Sequence, residues 1–186
     1  SEGIRAFRGS EEDVMARVIG AAQFGAADAI VEITGDCPII DPDVVGQSIH
    51  MFLHHDAAYV SNAHIRSYPD GMDVQVFRLN TLERSAAMTD DALDREHVSL
   101  HIRRHPELFP HVHLLAPPSL WWPELGLTLD EDADYRLLEV LTEGDCGPRS
   151  VEDVVERLID HARQGVYRPG AWARDWLCQV FGGDWI

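Results

Sequence analysis

The chain has 186 residues, 45% apolar and 25% charged, a balance that suits one ordinary globular domain with a substantial core. A formal net charge of −17, with every fixed cation an Arg and no Lys at all, disfavours nucleic acid as a partner, because that binding depends on neutralising phosphates with basic side chains. No apolar run is long enough to span a bilayer and no basic stretch precedes an apolar one at the start, so neither a membrane nor a secretory signal is expected and the location reads as cytoplasmic.

The chain begins at Ser1 rather than Met, which fits a processed product or a piece of a longer protein. Its three cysteines, Cys37, Cys146 and Cys178, match neither a zinc ribbon nor a redox pair and read as reduced thiols. Without Lys, phosphate contacts within this chain must come from Arg, backbone N–H groups or a metal ion.

In chain order, Ile4 to Phe7 reads as a short strand. Ser10 follows as a helix N-cap with Asp13 at N3, and Val14, Val18, Ala21 and Ala22 recur at helical spacing to about Phe24. Ala29 to Ile33 is a mostly buried strand by its β-branched content, and it ends in the Thr34-Gly35-Asp36-Cys37-Pro38 loop. Asp41-Pro42 opens a second helix, with Pro suited to the first turn. Ala57 to Ser61 is the next strand. Strand, helix, strand, helix, strand is the pattern of a parallel sheet with crossover helices.

Tyr68-Pro69-Asp70-Gly71 is a turn, since Pro sets φ and Gly admits φ > 0. Asp73 to Phe77 alternates like a half-buried strand. Helices are expected at Thr81 to Met88 and Arg95 to Arg104, and short strands at Val112 to Leu115 and Leu127 to Leu129. Helices follow at Asp132 to Leu141 and Val151 to Gln164. No repeat or linker divides the chain, and the loop Gly144 to Arg149 is its best break.

Ligands of open α/β sheets bind at the C-terminal ends of strands. Asp36 lies just beyond the strand Ala29–Ile33, and Asp130 ends the strand Leu127–Leu129. Two such carboxylates can share one Mg²⁺, which leaves its other positions for water and substrate phosphates. Asp at a strand end also serves turns and helix caps, so spacing alone leaves both readings open.

The ordered blocks Phe7-Arg8-Gly9-Ser10-Glu11-Glu12-Asp13-Val14, Ile33 to Pro42, Tyr59-Val60-Ser61-Asn62, Tyr68 to Val74, Asp94-Arg95-Glu96-His97-Val98, Leu127-Thr128-Leu129-Asp130 and Asp134-Tyr135 resemble the SpsF-like branch of the cytidylyltransferases. The resemblance implies a Rossmann-like, mostly parallel α/β sheet of the nucleotide-diphospho-sugar transferase (GT-A-like) type, lacking the family's first βαβ portion. It implies transfer of CMP from CTP to a sugar or sugar acid, with release of pyrophosphate and with Mg²⁺ as cofactor. Asp36 and Asp130 match the metal-holding and catalytic positions. Arg8, Ser10 and Asp13 lie where the nucleotide pocket begins. Asp70, Asp73, Arg95 and His97 fall in blocks associated with the sugar side. The plainer alternatives are an Arg–Glu pair within a helix for Arg95 and Glu96, and a turn role alone for Asp70 and Gly71.

The sequence also departs from the family's pattern. No Gly- and Arg-rich phosphate loop is present, Glu32 stands where Arg is frequent, and Glu131-Asp132 replace the usual Thr-Pro after Asp130. A non-catalytic or partner-dependent relative that binds a sugar, nucleotide or protein is therefore the alternative function. The whole of 1–186 reads as a single domain, N-terminally truncated relative to the family, with 168–186 a C-terminal helical extension. Trp172, Trp176 and Val180 share one face of that extension, either covering the core or forming a homodimer contact.

Three smaller signals complete the reading. His111 and His113 share one strand face but lack a third metal ligand at telling spacing, so they read as solvent-facing. His54-His55 suits the C-terminal end of a helix. Cys37 reads as packing, since the carboxylate beside it raises a thiol's pKa.

Overall fold

The computed structural model describes residues 3–142 and 149–164, apart from the side chain of Ala162. The expected C-terminal extension 168–186, Cys146, Cys178 and most of the expected break at 144–149 lie outside the described residues.

The elements run α1 (Val14–Gly25), β1 (Ala29–Glu32), α2 (Pro42–His54), β2 (Tyr59–Ser61), β3 (Gln75–Arg78), α3 (Leu79–Ala86), α4 (Ala92–Glu96), α5 (Leu100–Arg104), β4 (His111–His113), a 3₁₀ turn (Pro118–Leu120), α6 (Asp132–Thr142) and α7 (Val151–Arg163). They form two compact units, each assembled from separate stretches of chain. The first lies within Ser1–Glu32, Ser48–Ser61 and Gln75–His113, and the second within Ile33–Gln47, Asn62–Val74 and Leu114–Ile186.

The first unit holds the four-stranded sheet, ordered β1-β3-β2-β4. β3 is antiparallel to both β1 and β2, and β4 is parallel to β2. Three strands therefore share one direction, and β3 is inserted against them. Val76 lies opposite Val31 on one side and Val60 on the other, so β3 is paired along both of its edges. Below the sheet, Met15, Ile30, Tyr59, Phe77, Leu82, Ile102 and Phe109 form one apolar cluster. Each such side chain contributes about 1.5–3 kcal/mol on burial.

Several local readings shift. Ile4–Phe7 forms no strand; the segment lies along α1 instead. Phe7 rests on Gly20, where an added Cβ would come within 2.8 Å of its ring, and Arg5 donates to the carbonyl of Phe24 at 2.8 Å. Asp13, not Ser10, is the N-cap of α1, accepting from the Ala16 amide at 2.8 Å. Ser10 Oγ accepts from the Asp13 amide at 3.0 Å and so shapes the turn before the helix. The helix starts at Val14, which leaves Asp13 at the cap position, where a carboxylate also suits the positive end of the helix.

β1 is less buried than its composition suggests, with Ile30 its one buried residue. The expected helix Arg95–Arg104 is two short helices separated at His97–Ser99, where Val98 adopts φ 45° and is buried. A β-branched residue in the left-handed region is strained, and core packing of Val98 holds it there. His111 and His113 are half-buried rather than solvent-facing; His111 Nε2 donates to the Ile102 carbonyl at 3.1 Å. His54 and His55 bond the carbonyls of His50 and Met51 in the last turn of α2, both at 2.8 Å.

In the second unit, the 3₁₀ turn and α6 pack on α7. Asp41 is 2% exposed and ties two helix starts together. Its Oδ1 accepts from the Asp43 amide at 2.6 Å, and its Oδ2 from the Val151 amide at 2.7 Å, 110 residues away in sequence.

Candidate functional site

The second unit draws three of the motif segments together through their backbones. The Asp36 loop is closed on itself by the Cys37 amide donating to the Thr34 carbonyl at 3.3 Å. Its Asp36 carbonyl then accepts from the Leu129 amide at 2.9 Å. The expected strand Leu127–Leu129 is thus an irregular arm, bent at Thr128, that forms no ladder in the sheet. Asp130 follows directly on the arm's contact with Asp36, so the two candidate metal-holding residues are held beside each other by one hydrogen bond.

The turn at Asp70 docks on the same arm. The Asp70 amide donates to the Leu125 carbonyl and its carbonyl accepts from the Leu127 amide, both at 2.8 Å, an isolated parallel bridge. Gly71 makes this approach feasible. It has φ +98°, and a Cβ there would lie 2.7 Å from the carbonyl carbon of Leu127. The following stretch is clamped by Asn62, which is 1% exposed. Asn62 Nδ2 donates to the Met72 carbonyl at 2.6 Å, and its Oδ1 accepts from the Val74 amide at 2.7 Å.

The side chains around these segments are mainly acidic. Asp36 is half-buried and Asp130 exposed. Asp130 Oδ2 accepts from Thr128 Oγ1 at 2.8 Å. Asp134, in the first turn of α6, reaches back to the amides of Asp130 and Glu131 at 3.1 and 2.8 Å and so fixes the entry to the helix. Cys37 is buried, and its thiol is pushed up mainly by that burial, with further raising by the charges of Asp36 and Asp73 and an opposing bond from Thr34. Asp73 thus lies within electrostatic reach of the Asp36 loop. Arg66 donates to Asp70 Oδ2 at 2.8 Å, and its pKa is raised by that bond and by the charges of Asp70 and Asp73.

Asp36, Asp70, Asp73 and Asp130 therefore belong to one compact unit. Arg8, Ser10, Asp13, Arg95 and His97 belong to the other, and there much of the polarity is spent within the fold. Asp13 caps α1 and lies 3.5 Å from Arg95. Arg95 also donates to the Ala86 carbonyl at 2.9 Å. Ser10 shapes the turn, and Arg17 binds its carbonyl. His97 ends α4 and is exposed, as is Arg8.

Some polar residues have roles that the motifs do not show. Arg66 stands four residues before Asp70, a spacing that could have marked the pair. Asn62 and Asp41 look like ordinary strand-end and helix-start residues, and their long-range bonds leave no local trace. Glu32 ends β1 opposite Gln75. Its carboxyl is raised to about 7 by burial, against a lowering by Arg103. Gln75 accepts from Tyr59 at 2.5 Å and from Ser99 at 2.6 Å, so a buried polar network closes this end of the sheet.

No described helix is long and apolar enough to cross a membrane. Among the described residues, no group of three or more His, Cys, Asp or Glu could hold a metal ion.

A family model described as "Cytidylyltransferase" matches residues 2–130, well over half of the chain. The spore coat polysaccharide biosynthesis protein SpsF of Bacillus subtilis is 34% identical over 145 residues, covering 75% of this chain and 58% of that protein. An uncharacterized protein of Methanocaldococcus jannaschii is 34% identical over 137 residues, covering 74% of this chain and 55% of that protein. The chain thus spans little more than half the length of these curated relatives. A cytidylyltransferase structure from Leptospira borgpetersenii superposes with a TM-score of 0.82 at 26% identity, covering 91% of this chain and 71% of that one. The matched span contains the Asp36 loop, the Asp70 turn and the arm that ends in Asp130, and by that match the chain belongs to the cytidylyltransferase family.

Proposed function

We propose that this chain supplies the acidic part of a site that transfers CMP from CTP to a hydroxyl of a sugar or sugar acid, releasing pyrophosphate. The acceptor oxygen bonds to the α-phosphorus and gives up its proton to solvent, as the bond from that phosphorus to the bridging oxygen breaks and its electron pair leaves with pyrophosphate. The observation that carries the reading is the Leu129–Asp36 backbone hydrogen bond, which joins the segments bearing the two candidate carboxylates in a chain of this family.

The two residues fit Mg²⁺. That ion takes hard oxygen donors and commonly only one or two carboxylates, with water and substrate phosphates completing its shell. Asp36 and Asp130 offer that set and need no third protein ligand. When bound, the ion offsets triphosphate charge and makes the α-phosphate a better electrophile. The chain's own part is positioning. The Leu129 bond fixes the spacing of the Asp36 loop and the arm, Thr128 orients the Asp130 carboxylate, and the Asp70 bridge locks the arm from its other side. Arg8, Ser10, Asp13, Arg95 and His97 are proposed as the nucleotide and acceptor residues of the other unit, in places that also build the fold.

The test is a calorimetric titration with CTP, with and without Mg²⁺, on the chain and on Asp36→Asn. Metal-dependent binding that disappears in the variant supports the reading. Equal binding by both proteins removes Asp36 from the site. No binding by a demonstrably folded chain means that these residues alone do not make a nucleotide site.

A further inference from the structure

The second unit gathers negative charge where the proposed substrates are themselves anionic. Asp36, Asp70, Asp73 and Asp130 all belong to it. A metal ion answers part of that repulsion, and a polyanion needs further cationic contacts. The chain has no Lys, so any such contact made by its own side chains is an Arg.

Of the described arginines in this unit, Arg149 donates to the Thr142 carbonyl at 3.4 Å, Arg157 to the Leu141 carbonyl at 3.3 Å, and Arg163 lies 3.5 Å from Asp160. Those three bond to the ends of α6 or within α7. Arg136 is on α6 and exposed. Arg66 alone among them is placed on the acidic turn. It bonds Asp70 through one nitrogen at 2.8 Å, and its side chain remains 58% exposed. A guanidinium has five donors in a planar fork. One bond to Asp70 leaves its other edge able to take two oxygens of a phosphate or carboxylate.

The segment that carries Arg66 is also well anchored. The turn that carries Asp70 is bridged on both sides to the arm before Asp130. The residue after Arg66, Ser67, is fully buried; its carbonyl accepts from the Trp122 amide at 3.0 Å and its Oγ from the Ala116 amide at 3.0 Å. The backbone at Ser67 is thus fixed, and the ion pair with Asp70 directs the guanidinium toward the acidic turn. This preorganisation reduces the ordering cost of binding an anion.

We infer that Arg66 is a substrate-binding residue, whose guanidinium, held by Asp70, receives an oxyanion of the nucleotide phosphates or of the acceptor's carboxylate. The inference rests on the nucleotidyl-transfer reading and adds to it the cation that an all-aspartate site lacks.

The test compares the full chain with Arg66→Met, Arg66→Lys and, as a check on the underlying reading, Asp36→Asn. Each is titrated with magnesium pyrophosphate, magnesium CTP, glucuronate and glucose, and its melting temperature is recorded. Arg66→Met is expected to weaken at least one anionic probe about tenfold or more, the worth of a charge-assisted bond, with the melting temperature unmoved. Arg66→Lys, which keeps the charge but loses the fork, is expected to fall between the two. Loss confined to pyrophosphate and CTP assigns the oxyanion to the nucleotide, and loss confined to glucuronate assigns it to the acceptor; glucose is unaffected in either case. If the parent chain binds the anions and Asp36→Asn weakens CTP, but Arg66→Met binds every probe as the parent does, the inference is overturned and the nucleotide site stands. If the folded parent binds none of the anions, the reading and the inference fall together.

Discussion

Leu129 donates its amide to the carbonyl of Asp36 at 2.9 Å, and through that bond two sequence motifs more than 90 residues apart share one local frame. The bond is between backbones, so either aspartate can be changed without removing what positions the other. Loss of function in a substituted carboxylate can therefore be separated from loss of the scaffold.

Asp130→Asn is expected to lose metal-dependent CTP binding while keeping the fold. The amide can still accept from Thr128, but it contributes no charge. A circular dichroism melt alongside the titration checks this, and a large fall in melting temperature would assign Asp130 to structure instead.

Gly71→Ala tests the docking of the Asp70 turn. The substitution meets both a φ of +98° and a Cβ position 2.7 Å from the backbone of Leu127. Destabilisation of about 1–3 kcal/mol or more is expected in denaturant unfolding, together with weaker CTP binding as the arm before Asp130 shifts.

Asp41→Ala removes one carboxylate from two helix starts. The buried Val151 amide loses its acceptor and α2 loses its Asp43 bond. A loss of about 2–4 kcal/mol is expected by urea titration. Asp41→Asn can retain one of the two acceptor roles, so it is expected to lose less.

Asp13 separates a cap from an ion pair. Asp13→Ala is expected to cost about 1–2 kcal/mol, since it orphans the Ala16 amide, whereas Asp13→Asn keeps an acceptor and is expected to cost a few tenths. The Arg95 contact, at 3.5 Å and partly exposed, adds less than about 1 kcal/mol. Equal losses in the two variants would shift the credit to the ion pair.

Glu32 makes a pH prediction with a definite sign. Burial raises its carboxyl from 4.5 to about 7, so the folded chain holds a proton there that the unfolded chain releases. Stability linked to this group is fully present below about pH 4.5, falls as pH rises toward 7, and then levels off. The total change is on the order of 3 kcal/mol. Glu32→Gln is expected to flatten that slope and to melt higher than the parent chain above pH 7, as thermal melts from pH 4 to 8 would show.

Much of the secondary structure is legible in the chain alone, because it rests on local rules. Pro42 at a first helical turn, the β-branched run after Ala29 and the apolar period of α7 each act over a few residues. The Tyr68–Gly71 turn is equally local, and its Gly adopts the positive φ that the motif demands. The ordered motif blocks identify the family for a similar reason: a family resemblance is a property of sequence order, and no coordinates are needed to see it.

What the tertiary structure decided depends on partners far along the chain. β3 lies between β1 and β2 and runs against both, and no local pattern encodes strand order or direction. Leu127–Leu129 has a strand's composition, yet it binds a turn and a loop rather than the sheet, because Asp70 and Asp36 present the backbone groups that it needs. Folding sets Asp13 3.5 Å from Arg95 and at the start of α1, a pairing across 82 positions that no local pattern shows. The sequence by itself determined which residue types and local elements are available. Only folding decided which polar groups satisfy one another and which remain exposed, because hydrogen bonds between distant segments form only once burial has brought those segments together.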